Sequence, residues 1–321
     1  MRKTLYLLPF LLLACATSNT KNNGKEASTT ALPYEVKQQD VVNTLQYLSS
    51  DELEGRDSGS KGIEKAAVYL ENLLKENKIK PYFKTYRDTL GNYHKPAFNI
   101  VGVIEGNDPK LKNEFVIIGA HYDHIGRVST AVNGDDIANG ANDNASGTTV
   151  MSEVAKYFAK NKTNKRSILV VFFSGEEKGL LGSYHLAKKL KGQNFNLYTM
   201  LNFEMLGVPM KREFSSYITG FGKSNMSEKI NEYTNKKTVG FLEIELQYRL
   251  FMASDNYPFF VEFNVPAQTV CTFDFENYSY YHHPLDEFKL MDTAHMKAYA
   301  EEIIPAVLGM TNSKGHEIKL N

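Results

Sequence analysis

The chain of 321 residues is 42% hydrophobic, 12% aromatic and 23% charged, a composition that excludes a disordered tail or a collagen-like fibre and allows one large core. Its 37 basic and 37 acidic residues cancel and are interspersed, so no positive field points to nucleic acid or another polyanion as partner. Two cysteines, Cys15 and Cys271, allow at most one bridge, and disulfides are not expected to hold the fold together.

In chain order, the sequence opens with Arg2 and Lys3, an apolar stretch from Leu5 to Leu13, and a small residue before Cys15. The stretch is broken by Pro9 and is too short to cross a hydrocarbon layer of about 30 Å, so residues 1–14 are expected to be a secretory signal peptide. Leu12-Leu13-Ala14-Cys15 resembles a bacterial lipobox, which implies cleavage before Cys15 and lipidation of its thiol. Residues 15–35 then run through Ser, Thr, Asn, Lys and Gly, with too little apolar surface to offset ordering entropy, as in a flexible tether. The expectation is an exported protein of the cell envelope, periplasmic or outer-membrane-attached, held to the membrane through lipidated Cys15.

No repeat with a period of about 20 to 50 residues follows, so 36–313 reads as one domain, with 314–321 as a C-terminal tail. A Gly-rich loop over Glu54-Gly55-Arg56-Asp57-Ser58-Gly59 precedes Ile63, Ala66, Ala67, Leu70, Leu73 and Leu74, whose spacing predicts an amphipathic helix. Apolar runs of strand length come next: Asn99 to Ile104, Phe115 to Ala120, Ile168 to Phe173, Met200 to Phe203, Tyr217 to Thr219 and Ala267 to Thr272. Helical patterns fall among them at Thr148 to Ala159, Ser183 to Leu190, Ser227 to Tyr233 and Thr293 to Met310. Strands alternating with helices predict a single-domain α/β three-layer sandwich, with a central mixed, mostly parallel β-sheet flanked by helices. In such sheets ligands bind beyond the carboxyl ends of strands, which directs attention to polar residues just after each apolar run.

Several runs end in metal-type ligands. Phe115 to Ala120 leads into His121-Tyr122-Asp123-His124, Ile168 to Phe173 into Ser174-Gly175-Glu176-Glu177, and Met200 to Phe203 into Glu204. A loop carries Gly140-Ala141-Asn142-Asp143-Asn144-Ala145-Ser146-Gly147, and Tyr281-His282-His283-Pro284-Leu285-Asp286 stands near the end. Imidazoles and carboxylates together suit zinc and related divalent ions, and five or six of them converging could hold two ions about 3.5 to 4 Å apart.

The ordered set of His-x-Asp, Ala-x-Asp-x-Ala-Ser-Gly, Gly-Glu-Glu, Asn-x-Glu-Met and His-x-x-x-Asp resembles the co-catalytic zinc aminopeptidases of peptidase family M28, over roughly residues 40 to 310. Asp51-Glu52-Leu53-Glu54-Gly55-Arg56 is similar to the N-terminal part of bacterial members. The resemblance implies two Zn2+ per chain and peptide substrates cut at their N-terminus. It implies His121 and Glu204 as ligands of the first ion, Glu177 and His282 as ligands of the second, and Asp143 as the bridge, with a cis peptide after Asp143. Glu204 stands where many members have Asp. Asp123 is implied to orient the His121 ring, Glu176 to be the general base toward a metal-activated water, and Asp286 to support His282 in preference to His283. His124 is left between a supporting and an exposed position, and Asp255 near the pocket. Tyr248 and Tyr257 are left between oxyanion donors and packing, and Cys271 is read as a buried small hydrophobe. Substrate selection is expected from loops 127–139 and 241–265; the sequence leaves the oligomeric state open. The rival readings are a glutaminyl-cyclase-like acyltransferase, a carboxypeptidase or deacylase on the same fold, and an inactive binding module.

Overall fold

The structure is a computed structural model that describes Met1 and residues 35–321; the rest of the expected signal peptide, Cys15 and all but the last residue of the tether lie outside the described residues. The strands are β1 (Lys80–Pro81), β2 (Arg87–Thr89), β3 (Phe98–Ile104), β4 (Phe115–His121), β5 (Gly126–Val132), β6 (Asp135–Ala138), β7 (Ser167–Phe173), β8 (Leu197–Glu204), β9 (Ser216–Ile218), β10 (Val239–Gly240) and β11 (Ala267–Cys271). The helices are α1 (Gln38–Leu48), α2 (Lys61–Glu76), α3 (Gly147–Asn161), α4 (Leu181–Gly192), α5 (Met226–Thr234), α6 (Glu243–Tyr248), α7 (Asn256–Phe263) and α8 (Thr293–Asn312).

Nine strands form one sheet in the order β1-β3-β7-β4-β8-β11-β9-β10, with β2 also on β3. Its centre, β7-β4-β8-β11, is parallel, while β3 joins β7 and β9 joins β11 antiparallel, so the sheet is mixed as predicted. Every residue of β7 is buried, and its side chains alternate: Ile168, Val170 and Phe172 enter the core beneath α1, α2, α3, α5 and α8, whereas Leu169, Val171 and Phe173 pack with Leu186, Leu190 and Phe259 of α4 and α7. Each fully buried Phe or Leu contributes about 1.5 to 3 kcal/mol of transfer free energy, so the sheet is pinned between two helical layers. The Ser60 hydroxyl caps α2 by accepting from the Ile63 N–H (3.3 Å), which fixes where the predicted helix starts. The tail over 314–321 packs back on the body: Ile318 is buried, and Leu320 pairs with Ser224.

One buried cation ties the loops at the sheet's carboxyl edge. The Arg56 guanidinium, 1% exposed, donates to the backbone carbonyls of Tyr122 (2.8 Å), Asn139 (2.6 Å), Gly140 (3.0 Å) and Leu48, joining the loop after β4, the loop before α3 and the end of α1. Burial lowers its pKa to about 10 against the opposing pull of Asp143, Asp286, Asp123 and Glu177, so it stays charged at neutral pH. Arg56→Met keeps the bulk but strands those carbonyls, and should cost about 3 kcal/mol or more of unfolding free energy in urea titration of the metal-free protein. A loss under about 1 kcal/mol would remove Arg56 from this role.

Candidate metal centre

The parallel strands end side by side, and their last residues or following loops carry the expected ligands. His121 and Glu204 are the final residues of β4 and β8, Glu176 and Glu177 follow β7, Asp143 lies just before α3, and His282 lies in the segment after β11. The peptide Asp143-Asn144 is cis. Two donor groups form around Asp143. His121 Nε2 lies 3.1 Å from Glu204 Oε1 and 3.4 Å from Asp143 Oδ1. On the other side, Asp143 Oδ2 lies 3.2 Å from His282 Nε2 and 3.7 Å from His124 Nδ1, while Glu177 Oε1 and Oε2 lie 2.8 Å from His124 Nδ1 and 3.0 Å from His282 Nε2.

These atoms fit a metal better than they fit one another. A tetrahedral zinc shell with donors at about 2.0 to 2.2 Å has donor-to-donor edges of about 3.3 Å, close to the separations here. His282 Nε2 is buried and makes no hydrogen bond of acceptable geometry despite its short contacts to Asp143 and Glu177, an orphaned donor atom that an ion between these groups would satisfy. His121 Nδ1 donates to the Asp123 carbonyl (3.1 Å); a carbonyl only accepts, so the proton of the neutral ring sits on Nδ1 and Nε2 is left as a ligand.

The charges agree. Burial opposes a proton on His121, yet Glu204 and Glu176 outweigh it and hold the ring well above the usual imidazole range. Burial likewise opposes charge on His282, but Asp143 and Glu177 raise it to about 10. Asp143 is pushed up by burial and pulled further down by His124, His121 and His282, ending well below the usual carboxylate range. Carboxylates packed this densely require positive charge among them, supplied by protons or by divalent ions.

The profile of peptidase family M28 matches residues 99–307. The chain belongs to peptidase family M28. A probable zinc metalloprotease of Pyrenophora tritici-repentis is 38% identical over 108 residues, covering 34% of this chain and 24% of that protein. A probable leucine aminopeptidase of Trichophyton verrucosum is 28% identical over 214 residues, 64% of this chain and 54% of that one, so the chain spans between a quarter and about half of these two relatives. Among solved structures, LapA aminopeptidase of Legionella pneumophila superposes with a TM-score of 0.66 at 22% identity over 86% of this chain and 72% of that chain. Glutaminyl cyclase of Porphyromonas gingivalis superposes with 0.64 at 16% over 84% and 97%. At such identities the structural likeness is one of fold.

Within this M28 chain, several residues stand differently from expectation. The Asp123 carboxylate is 3.8 Å from His121 Nδ1, and instead accepts from the Glu176 N–H (3.2 Å) and the Ser58 hydroxyl (3.0 Å). It therefore anchors the Glu176 backbone, while the Asp123 carbonyl orients His121. Asp286 does not touch His282: its oxygens accept from the N–H groups of Asn142 (2.8 Å) and Asp143 (3.0 Å) and from Tyr278 (2.6 Å), gripping the Asp143 loop. His283 stays outside both groups and accepts from the Leu285 N–H. His124 is fully buried in the second group, a placement that alternation along a strand did not foretell because β4 ends at His121.

A cavity of about 320 Å³ opens on both groups. Glu176 enters its wall beside His121, Asp143, Glu204 and His282. Burial, reinforced by Asp255, Glu204 and Glu177 against His121, raises the Glu176 carboxyl well above its usual range. Asp255 is buried too, and its pKa is pushed up to about 7 by burial against the pull of His121. The remaining wall is mostly apolar or aromatic, with Thr219, Ser254 and Thr269 as its polar residues; Tyr248 stacks on Phe275 (4.8 Å), Phe275 lies tilted against Phe273 (4.5 Å) and Tyr281 stacks on His282 (3.9 Å). Cys271 lines the cavity as well as being buried, and Tyr257 lies in a separate groove. Loop 241–265 contributes Tyr248, Leu250, Ala253 and Ser254, whereas loop 127–139 lines none of the cavity because it folds into the β5-β6 hairpin.

Asp286→Asn replaces one of the two accepting oxygens with a donor that faces a backbone N–H. It should cost about 1 to 3 kcal/mol of stability in the metal-free protein, measured by chemical denaturation. An unchanged midpoint and slope would show that the Asp143 loop holds itself.

Proposed function

We propose that this protein is a zinc aminopeptidase that holds two ions per chain and removes large apolar or aromatic residues from the N-terminus of peptides. The observation that carries this reading is the charge distribution of the cavity. Its ionisable lining consists of His121, Asp143, Glu176, Glu204, His282, Cys271 and three tyrosines, with neither Lys nor Arg among the described residues. A peptide's free carboxylate would meet no Lys or Arg apart from the metal centre itself, which weighs against a carboxypeptidase; a free N-terminal ammonium meets carboxylates. The uncharged wall of Met205, Leu250, Phe273 and Phe275 favours a bulky apolar side chain over a charged one, which these four residues would desolvate without pairing.

The residues divide the work. Asp143 serves both groups, His121 and Glu204 complete the first, and Glu177 and His282 belong to the second. Zinc bound there would supply a Lewis acid and lower the pKa of water. Ser254 donates to Glu204 Oε2 (2.8 Å), leaving Oε1 toward His121. The Glu176 carboxyl takes the proton of the attacking water and passes it to the leaving amine, its backbone held by Asp123. We extend the proposal to export and to tethering of the body through lipidated Cys15, on the strength of the leader-like N-terminus.

The test compares leucyl- and phenylalanyl-anilides with lysyl- and glutamyl-anilides and with N-acetyl-leucyl-anilide. The free apolar substrates should be cut with kcat/KM about 100-fold or more above the acetylated one, and Glu176→Gln should lower kcat by about 10² or more with folding unchanged. Preference for the acetylated substrate would contradict the aminopeptidase reading, and near-normal turnover by Glu176→Gln would remove it as general base.

A further inference from the structure

His124 is the one imidazole at the centre that the two-ion reading does not employ. Its side chain is completely buried, and its Nδ1 faces Glu177 Oε1 at 2.8 Å and Asp143 Oδ2 at 3.7 Å. The opposite nitrogen, Nε2, is buried without a hydrogen-bond partner, so the polar commitment of the ring is to the donor group alone. The surrounding backbone is shaped to admit it. Gly140 sits at φ +57°, and a Cβ there would lie 2.6 Å from two His124 ring carbons and 2.2 Å from the Asp143 carbonyl oxygen. Backbone holds the ring from the other side, where the His124 N–H donates to the Arg56 carbonyl (3.2 Å).

The consequence is an inequality between the two groups. His121, Asp143 and Glu204 offer three protein donors; His124, Asp143, Glu177 and His282 offer four, whose ligand atoms all lie within 4.8 Å of one another. Zinc sites with four protein ligands are closed and retentive, whereas sites with three keep a position for water or substrate. We propose that His124 is a fourth protein ligand to the second ion, making that position closed and tightly held while the first position stays open to the cavity. The proposal rests on the two-ion reading, and it assigns the exchangeable coordination position to the side of His121 and Glu204.

A weaker role for His124 would be to donate Nδ1–H to Glu177 and nothing more. Asparagine separates the two, since its amide N–H₂ can replace that donor but is not a zinc ligand. Zinc-loaded wild type, His124→Asn and His124→Ala are dialysed against increasing dipicolinate, and retained zinc per chain is measured by mass spectrometry. Thermal melting of each metal-free variant checks that it folds, and the absorption of a single retained cobalt reports coordination at the second position. Wild type should hold two ions and keep one to at least about tenfold higher chelator. Both variants should release that ion at about 10²-fold lower chelator, beyond or at the upper limit for losing a supporting group alone, with an altered cobalt spectrum. Wild-type retention by His124→Asn, with loss only in His124→Ala, overturns the ligand assignment in favour of the hydrogen bond. Wild-type retention by both variants overturns any role at the ion. Should wild type itself take up fewer than two ions, the two-ion reading falls, and this inference with it.

Discussion

Asp143 presents one carboxylate oxygen to His121 and the other to His282 and His124, and the rest of the centre is built to keep that carboxylate in place. Asp286 fixes the backbone of Asn142 and Asp143 from below. Asn144 holds the next step of the chain by donating to the Phe203 carbonyl (2.9 Å) and accepting from the Gly147 and Met205 N–H groups (3.1 and 2.9 Å). That network joins the Asp143 loop to the end of β8, where Glu204 stands, so the distance between two candidate ligands is set by backbone and not by flexible side chains. Thr148, in the first turn of α3, closes the frame by donating to the His121 carbonyl (2.8 Å).

The same frame concentrates acid. Asp123, Asp143, Asp255 and Asp286 are buried near the carboxyl edge of the sheet, with the half-buried Glu176 beside them, and their mutual repulsion is little screened there. Arg56 is a fixed cationic counterweight, and the imidazoles of His121 and His282, raised by the carboxylates around them, are held among the acids. Their positions differ in purpose. Arg56 spends its hydrogen bonds on carbonyls, acting as a fixed charge and a clamp, while the histidines face the carboxylates directly. A divalent ion in either group replaces protons as the source of positive charge.

Much of this was legible in the sequence, for identifiable reasons. Strands such as β4 and β7 are unbroken apolar runs because both of their faces are covered, and the ligands follow them directly because a parallel sheet puts its carboxyl ends together. α1 was not among the expected elements, although Val41, Thr44, Leu45 and Leu48 recur at helical spacing and are buried. The β5-β6 hairpin went unread because its exposed residues carry neither apolar alternation nor a long run, and so its loop was credited with a role in substrate selection. At the centre, side-chain types were readable but partners were not. The sequence pattern pairs Asp123 with His121 and Asp286 with His282 as close neighbours along the chain, while in the fold each carboxylate accepts from backbone N–H groups more than 50 residues away. His124 was undervalued because the chain leaves the strand after His121, and Tyr281 because nothing in sequence shows that its ring stacks on His282.

The central claim is that one carboxylate serves two metal positions, and anomalous diffraction at the zinc edge from zinc-loaded crystals tests it most directly. Two peaks should flank Asp143, about 3.5 to 4 Å apart, one beside His121 and Glu204 and the other beside Glu177 and His282. A single peak at full zinc loading, or a pair in which Asp143 touches only one, would contradict the account.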